Sequence, residues 1–287
     1  MNKKRIWLIA GLSLLVVAGF TTRAWLASAT QPAMPPATSS GIEYVPQALP
    51  RQDRNILGLL QRGALPSRLH TALDALGDRL ERRGRERALI AGRLQYGDGT
   101  PEINFTAILQ LPRLLRLTES VGSVTRTIVF DGKTVASSEG KLAARDSDLL
   151  ETLLYDTAEH LLLEQVGGTL AMRFLGERFH TSEALDSPAY DIFEVTDTVM
   201  RDTIQQPRTK NFYFNSASHL LERIAYGAEE QGAPLIEVRL SDWRTVDGQR
   251  APFRFERLEN NVVTLRLQFT SMAYVGAVED GAFSVNR

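Results

Sequence analysis

Residues 103–134 restrict the possible folds of this chain more than any other stretch. They begin INFTAILQLPRLLRL and, after a polar gap, continue TIVFDGKT. This pattern predicts two or three consecutive antiparallel strands closed by a tight turn at Asp131-Gly132. The residues that face one side of these strands are apolar, and so are some of those that face the other side. A sheet of this kind needs cover on both faces or a cavity on one of them.

Most of the chain beyond this stretch also shows the period-two alternation of strands, interrupted by clusters of Gly, Asp and Asn. The tight turns between strands leave no room for crossover connections, so the sheet is predicted to be an antiparallel meander. The further predicted strands are residues 88–96, 190–199, 210–215, 220–227, 235–246, 250–258, 262–274 and 282–285. Residues 170–180 fit either a strand or a helix, and we favour a strand.

Two segments instead have leucines at helical spacing, residues 66–83 and residues 146–165. These helices do not alternate with strands, which argues against a doubly wound α/β fold. The predicted class is therefore α+β, with a long, curved antiparallel sheet and the two amphipathic helices packed on its concave face.

The first 29 residues have the pattern of an export signal. A basic MNKKR precedes an apolar run at residues 6–20, and Ala27-Ser28-Ala29 offers a small-residue cleavage site. Residues 1–29 are therefore either a cleaved signal peptide or a retained membrane anchor, and both place the folded part outside the cytoplasm. Residues 30–50, rich in Ala, Pro, Ser and Thr, are predicted to be a linker. Residues 51–287 are predicted to form one domain.

Charge and cysteine content exclude several classes of function. The formal net charge is −1, and removing the four basic residues of the first 29 leaves −5. A mildly acidic domain lacks the basic face that nucleic acid requires. The chain has no cysteine, so it has no disulfide, no thiolate metal site and no lipidated cysteine.

No motif points to catalysis. His70, His160, His180 and His219 lack the spacing of metal ligands, and the sequence contains no G-x-S-x-G elbow. Gly132-Lys133-Thr134 lacks the earlier glycine of a phosphate-binding loop. We therefore predict a protein that is not an enzyme and that has no catalytic residue, metal or cofactor.

Large apolar side chains on the predicted strands are the candidates for a binding site. They could together line an apolar pocket between sheet and helices, although ordinary core packing explains each one equally well. The candidate ligand-binding residues are Phe105, Leu109, Leu111, Leu114, Leu117, Phe130, Trp243, Phe253, Phe255, Leu265, Leu267 and Phe269.

Several segments, in this order, resemble the LolA/LolB/RseB-like periplasmic superfamily, which includes the outer-membrane lipoprotein carrier. They are GRLQY (92–96), FTAILQLPRLLRL (105–117) and VFDGKTV (129–135), followed by FYFNSASHLLERIAY (212–226) and VRLSDWRTVDGQRAPF (238–253). The resemblance implies an incomplete antiparallel β-barrel, with helices as a lid over a hydrophobic cavity. Members bind acyl chains of lipoproteins or other lipids, or sense them through a partner.

The chain departs from the carrier pattern at two points. Leu111 precedes Pro112 where the carrier typically has a basic residue, and without cysteine the chain cannot be lipid-anchored like the outer-membrane receptor. The leading hypothesis is therefore a periplasmic, non-enzymatic binder of a lipid, an acyl chain or a lipidated protein. The alternative is an envelope interaction module that binds a protein partner through the sheet. A retained N-terminal segment would contact the membrane and could tether the domain to an inner-membrane partner.

Overall fold

Twelve antiparallel strands form one sheet in the computed structural model, which describes residues 67–77, 86–111, 114–132, 134–140, 142–166, 171–179, 188–201, 204–227, 234–276 and 281–284. The predicted signal and linker lie outside the described residues. The strands are β1 Arg87–Gln95, β2 Ile103–Gln110, β3 Leu114–Val121, β4 Val124–Phe130, β5 Val135–Ser137, β6 Ala171–Phe179, β7 Ala189–Arg201, β8 Ile204–Asn215, β9 Leu221–Tyr226, β10 Ile236–Val246, β11 Gln249–Glu259 and β12 Val262–Val275.

The strand order confirms the predicted meander. Strands β5 to β1 run inward from one edge of the sheet, and β12 to β6 run outward to the other edge. The two halves join where β1 pairs with β12. The tight turn between β11 and β12 depends on Asn260 and Asn261, which have φ angles of 49° and 65°. Asparagine tolerates this left-handed backbone well, which suits a two-residue hairpin turn.

Helix α1, Ser67–Leu76, is shorter than the predicted 66–83. Gly77 adopts φ 95° directly after it, and its N–H bonds back to the carbonyl of Leu73. Glycine in this left-handed conformation is a common helix stop, so the glycine ended the helix before the leucine pattern did. Residues 78–85 lie outside the described part of the chain.

The predicted helix 146–165 is two helices, α2 Ala144–Leu154 and α3 Ala158–Val166. They are separated by a short break in which the backbone N–H groups of Tyr155 and Asp156 both bond to the carbonyl of Glu151. The Thr157 hydroxyl then accepts a bond from the N–H of His160, which is an N-cap contact. Because the leucine spacing continues across this break, the start of a second helix at Thr157 was not predicted.

Contacts of α2 with distant strands show that the sheet curves around it. Arg126 on β4 pairs with Asp146, and Arg208 on β8 pairs with Glu151. Eight strand-to-strand steps separate β4 from β8, about 38 Å along the sheet at the usual spacing. The two acidic residues are only about 7.5 Å apart along the helix. The two side-chain pairs cannot span the difference between these two distances. The sheet must therefore bend towards α2, as the predicted incomplete barrel requires.

The helical segment lies deep in the concave side of this sheet. Every residue from 152 to 162 is buried, and the leucines of α2, with Leu161 and Leu162 of α3, join the alternate residues of the strands in one hydrophobic core. A helix buried on every side is typical of a protein interior. The segment is therefore enclosed more completely than a lid on a cavity.

The predicted strand 282–285 is wrong in its described part, because residues 281–284 form a turn. Arg116 on β3 donates hydrogen bonds from Nη1 to the carbonyls of Ala282 and Ser284, at 3.2 and 3.3 Å. A strand there would need a neighbouring strand to pair with its backbone N–H and carbonyl groups, whereas the turn is held by a side chain.

None of the described helices is long and apolar enough to cross a membrane.

Candidate functional site: an apolar interior enclosed by helices

A small cavity lies between the sheet and the helical segment. Its volume is about 30 Å³. The wall combines apolar side chains of β1, β2, β11 and β12 with residues of α2 and α3. The lining residues are Ile90, Leu109, Leu111, Leu153, Thr157, Glu159, Ala251, Pro252, Phe255, Phe269 and Met272.

The structure brings ten of the twelve predicted residues into the hydrophobic core around this cavity. They are Phe105, Leu109, Leu111, Leu117, Phe130, Phe253, Phe255, Leu265, Leu267 and Phe269. Four of them, Leu109, Leu111, Phe255 and Phe269, line the cavity itself. Whether any of the twelve contacts a ligand stays a prediction.

Phe269 is the centre of an aromatic group in this wall. Its ring lies 5.3 Å from Phe255, 6.0 Å from Phe105 and 6.2 Å from Phe253, measured between ring centroids. These separations and the tilted or edge-on angles suit attractive ring contacts. Phe105 can approach because Gly92 lies beneath it, where an added Cβ would come within 3.0 Å of the ring.

Leu114 and Trp243 lie elsewhere. Leu114 alternates with the buried Leu115 and Leu117, so it occupies the outer face of β3. Trp243 pairs with Pro252 and is out of phase with the buried Leu240. It contacts the edge of the core and lines an outer groove. In both cases the residue type suggested the interior, but the strand phase decided the face.

A buried ion pair holds the beginning of α2 to the sheet. Arg126 on β4 donates to both carboxylate oxygens of Asp146, which has no exposed surface, and the Nη1–Oδ1 distance is 2.8 Å. Glu119 on β3 lies 3.6 Å from the same guanidinium and accepts a hydrogen bond from the Tyr96 hydroxyl. Burial raises the pKa of Tyr96, and the bond to Glu119 raises it further. We call Tyr96, Glu119, Arg126 and Asp146 the first clamp.

A second group of buried charges holds the end of α2. Lys210 on β8 donates from Nζ to Asp156 at 2.7 Å and to Glu151 at 3.0 Å. Arg257 on β11 donates to the Tyr226 hydroxyl at 2.6 Å and lies 3.6 Å from Glu151. These five residues, together with Arg208, which also pairs with Glu151, form the second clamp.

Opposing effects set the pKa values in the second clamp. Burial raises the pKa of Glu151, but the positive charges of Lys210, Arg208 and Arg257 outweigh burial and hold it below its ordinary value. Burial also raises the pKa of Asp156, and there Lys210 does not fully compensate. Burial raises the pKa of Tyr226 well above its usual value. The clamp therefore contains two carboxyl groups whose pKa values shift in opposite directions.

Neither clamp was predicted from the sequence, although the strands contain a signal for buried ion pairs. Glu119, Arg126, Lys210 and Arg257 are charged residues in phase with apolar positions of their own strands, as in Phe253–Phe255–Arg257. A charge at such a position must find a partner or leave the interior. A charge in phase with the apolar face thus indicates a buried ion pair.

One part of the cavity wall is polar. Glu159 in the first turn of α3 is 4% exposed, and its Oε1 accepts a hydrogen bond of 3.1 Å from Nε2 of Gln249 at the start of β11. Thr157 lines the cavity beside it. Gln249 has no exposed surface, and its Oε1 has no hydrogen-bond partner among the described residues.

Two grooves mark the outer face of the sheet. One, of about 400 Å³, lies over β1–β3 and β12 and includes Leu89, Ile108 and Arg116. The other, of about 580 Å³, lies over β9 and β10 and includes Arg223 and Trp243. In the described part of the chain, no cluster of His, Asp and Glu could hold a metal ion.

Comparison with known proteins finds similarity in fold. No family model and no curated protein matches the chain. A LolA superfamily protein from Nitrosomonas europaea has 14% identity and a TM-score of 0.49, over 76% of this chain and 96% of that one. A DUF1329 family protein from Desulfovibrio piger has 12% identity and a TM-score of 0.44, over 76% and 96%.

A third solved structure is a putative outer-membrane lipoprotein-sorting protein domain from Vibrio parahaemolyticus. It has 8% identity and a TM-score of 0.43, over 75% of this chain and 95% of that one. The superfamily that the sequence resembles is thus represented among the structures similar to this chain.

Proposed function

We propose that this protein is an exported, non-enzymatic binder of a lipid, an acyl chain or a lipidated protein. The ligand would occupy the apolar interior between the sheet and the α2–α3 segment. The observation that carries the proposal is the cavity in the apolar wall, which includes Leu109, Leu111, Phe255 and Phe269 and is enclosed by helices. Concave, mostly apolar sites with a few polar groups are the usual form of a small-molecule site.

The enclosed form must open before it can bind. A cavity of about 30 Å³ holds about one water molecule. Ligand pockets typically measure about 300–1,000 Å³. We therefore propose that α2 and α3 move away from the sheet on binding and that the acyl chain takes the place of their leucines. The sheet would then keep its apolar cover, which limits the cost of opening.

The two clamps suit such a movement. Their charged groups regain hydration when they separate, so part of the lost ion-pair energy is recovered. The leucines of α2, in contrast, would lose burial unless a ligand or the membrane replaced the contact. The clamps therefore favour the enclosed state without making it permanent.

The proposal also retains the predicted location. The apolar run and cleavage site of residues 1–29 support a periplasmic protein, or one tethered to the inner membrane if the segment is uncleaved. A protein partner in the inner membrane would fit the tethered form.

The alternative function, an interaction module that binds a protein through the sheet, is favoured by the outer groove over β9 and β10. There Glu237 pairs with Arg223 at 2.8 Å and with Arg239 at 2.6 Å, and Trp243 lies in the same groove. Tryptophan and arginine are enriched at the centres of protein interfaces.

The test uses protein from the exported fraction of an expressing host. Native mass spectrometry and solvent extraction should reveal a co-purifying lipid, and delipidated protein should bind the uncharged dye N-phenyl-1-naphthylamine with increased fluorescence. Variants of the outer groove, such as Arg223→Ala, should leave dye binding unchanged. Protein that carries no lipid and binds no dye would contradict the proposal.

A further inference from the structure

We infer that the acyl chain of the ligand enters tail first through a break in the sheet between β11 and β12, and that its polar head stays on the outer face. This inference rests on the proposed function, because the break leads to the same cavity. It assigns a class of ligand: a linear acyl chain joined to a head group that is too large for the interior, such as the polypeptide of a lipidated protein.

The pairing of β11 with β12 covers only part of the two strands. It ends at the pair Arg254 and Gln268. Beyond this pair, β11 continues alongside β10, and β12 continues alongside β1. In the described part of the chain, no strand pairing joins residues 249–253 of β11 to residues 269–274 of β12. We call this break in the sheet the seam.

Two local features of the sequence account for the seam. Thr270 is the extra residue of a β-bulge in the pairing of β12 with β1. Such a bulge bends its strand and disrupts the regular ladder. On the other side of the seam, Pro252 of β11 has no N–H to donate to a neighbouring strand. Both strands are therefore poorly suited to pair with each other here.

Side chains connect the two strands at the ends of the seam. Gln268 donates from Nε2 to the carbonyl oxygen of Phe253 at 3.2 Å. At the far end, the carboxylate of Asp247 accepts a hydrogen bond of 3.5 Å from the backbone N–H of Tyr274. The stretch from Asp247 to Phe253 is about 20 Å long at strand spacing. Side-chain contacts at its ends take the place of a backbone ladder, so the seam can part without breaking one.

The cavity lies directly behind the seam. Of its lining residues, Ala251, Pro252, Phe269 and Met272 belong to the two unpaired stretches. Pro252 alternates with the core residues Ala251 and Phe253, so the strand phase directs it outward, yet it borders the cavity. The cavity therefore extends between the strands. Met272 borders both the cavity and the outer groove over β1–β3 and β12, and its flexible side chain is suited to a gate between them.

The outer side of the seam is exposed. Arg250 on β11 and both Thr270 and Ser271 on β12 are accessible to solvent, and Ser271 lines the outer groove. A chain that passes Met272 meets the ring of Phe269, while its head group remains among these exposed residues. The entrance lies wholly within the sheet, so it is retained when α2 and α3 move.

The first experiment closes the seam from outside. Because the chain has no cysteine, Arg250→Cys/Ser271→Cys can be bridged selectively by a reducible bifunctional methanethiosulfonate, in the shortest length that mass spectrometry shows to react at both ends. Glu256→Cys/Arg266→Cys joins the same two strands where they already pair, and is the matched control. Stopped-flow fluorescence measures the association of N-phenyl-1-naphthylamine with delipidated protein of the exported fraction, before and after reduction of the bridge.

We expect the bridge across the seam to slow dye association at least about tenfold and its reduction to restore the rate, whereas the control bridge changes the rate by about twofold or less. Met272→Ala, which widens the gate, should raise the association rate at least about threefold. Met172→Ala truncates another half-buried methionine, on β6, and should leave the rate unchanged.

The second experiment tests where the head group lies. A decanoyl chain on glycinamide and the same chain on a 20-residue Gly/Ser peptide compete with the dye at equilibrium. We expect the two half-maximal concentrations to agree within about threefold, since a head group outside the sheet meets no steric limit. A site that encloses the whole ligand would reject the peptide.

The outcomes separate the two proposals. If the dye binds as fast with the seam bridged as with the bridge reduced, or if the peptide prevents competition, this inference is wrong and the apolar binding function stands. If wild-type protein binds neither the dye nor the decanoyl chain, the proposed function is wrong, and the inference fails with it.

Discussion

Arg126 on β4 donates hydrogen bonds to both carboxylate oxygens of Asp146 in the first turn of α2, and Asp146 is wholly buried. The same carboxylate accepts a hydrogen bond from the backbone N–H of Ala143, at 2.6 Å. One side chain therefore caps the helix and ties it to the sheet. Asp148, two residues further along α2, pairs with Arg257 on β11.

The first prediction removes the cation of this pair. Arg126→Met should lower the free energy of unfolding by about 3–5 kcal/mol, because it leaves Asp146 buried without a positive partner. Urea unfolding monitored by circular dichroism measures the change. The double variant Arg126→Met/Asp146→Leu should recover all but about 1 kcal/mol, the value of the lost cap. If Arg126→Met had the same free energy of unfolding as wild type, the ion pair would contribute nothing to the stability of the fold.

The second prediction concerns pH and Glu151. Because Lys210, Arg208 and Arg257 lower the pKa of Glu151 in the folded state, the unfolded chain takes up this proton first as the pH falls. The carboxylate therefore contributes stability above its unfolded pKa of about 4.3, and this contribution is lost as the pH falls towards the folded pKa. Glu151→Gln should be less stable than wild type by about 1–3 kcal/mol at pH 7, and the difference should shrink below about pH 4.

Asp156→Asn is the matched contrast for that measurement. Burial raises the pKa of Asp156 in the folded state, so folding favours its protonated form. Its ionisation therefore costs stability as the pH rises through the window above about 3.9. The wild-type stability relative to Asp156→Asn should thus increase on acidification, opposite in sign to the Glu151 effect. Unfolding curves at pH 3.5, 5 and 7 measure both effects, and equal pH dependences for the two variants would contradict at least one of the two pKa directions.

The third prediction tests the close approach of β1 and β12. A Cβ on Gly92 would come within 2.4 Å of the carbonyl oxygen of Gln268, so Gly92→Ala should cost about 1–3 kcal/mol through strain. Gly276→Ala is the control, since nothing lies within 4 Å of its added Cβ. Thermal unfolding should place the control within about 0.5 kcal/mol of wild type. Equal stabilities of the two variants would disprove the tight packing.

The fourth prediction separates the interior face from the outer face. Leu153→Ala truncates a buried side chain of the cavity wall and should cost about 2–5 kcal/mol. If the proposed function holds, the larger cavity should also bind N-phenyl-1-naphthylamine more tightly. Leu114→Ala, on the outer face, should cost about 1 kcal/mol or less and leave dye affinity unchanged. If Leu114→Ala lost dye binding, Leu114 would belong to the binding site after all.

Much of the fold could be predicted because its determinants are local. Alternation within a strand and the Gly, Asp and Asn residues of a turn act over a few residues, so the meander and the positions of most strands, though not of 282–285, were predicted correctly. Predicted boundaries failed where a single polar or glycine residue outweighed a long apolar pattern. Gly77 ended α1, and Thr157 began α3.

The sequence by itself determined the class of the protein: an antiparallel sheet with two leucine-rich segments and an apolar interior that includes ten of the twelve predicted residues. Tertiary structure alone decided that the helices pack into that interior and line a cavity of about 30 Å³ there. It also decided that Lys210 meets Asp156, 54 residues away, and that Gln249 meets Glu159. The physical reason is range: periodicity is set by neighbouring residues, whereas the partner of a buried charge depends on how the whole sheet curves.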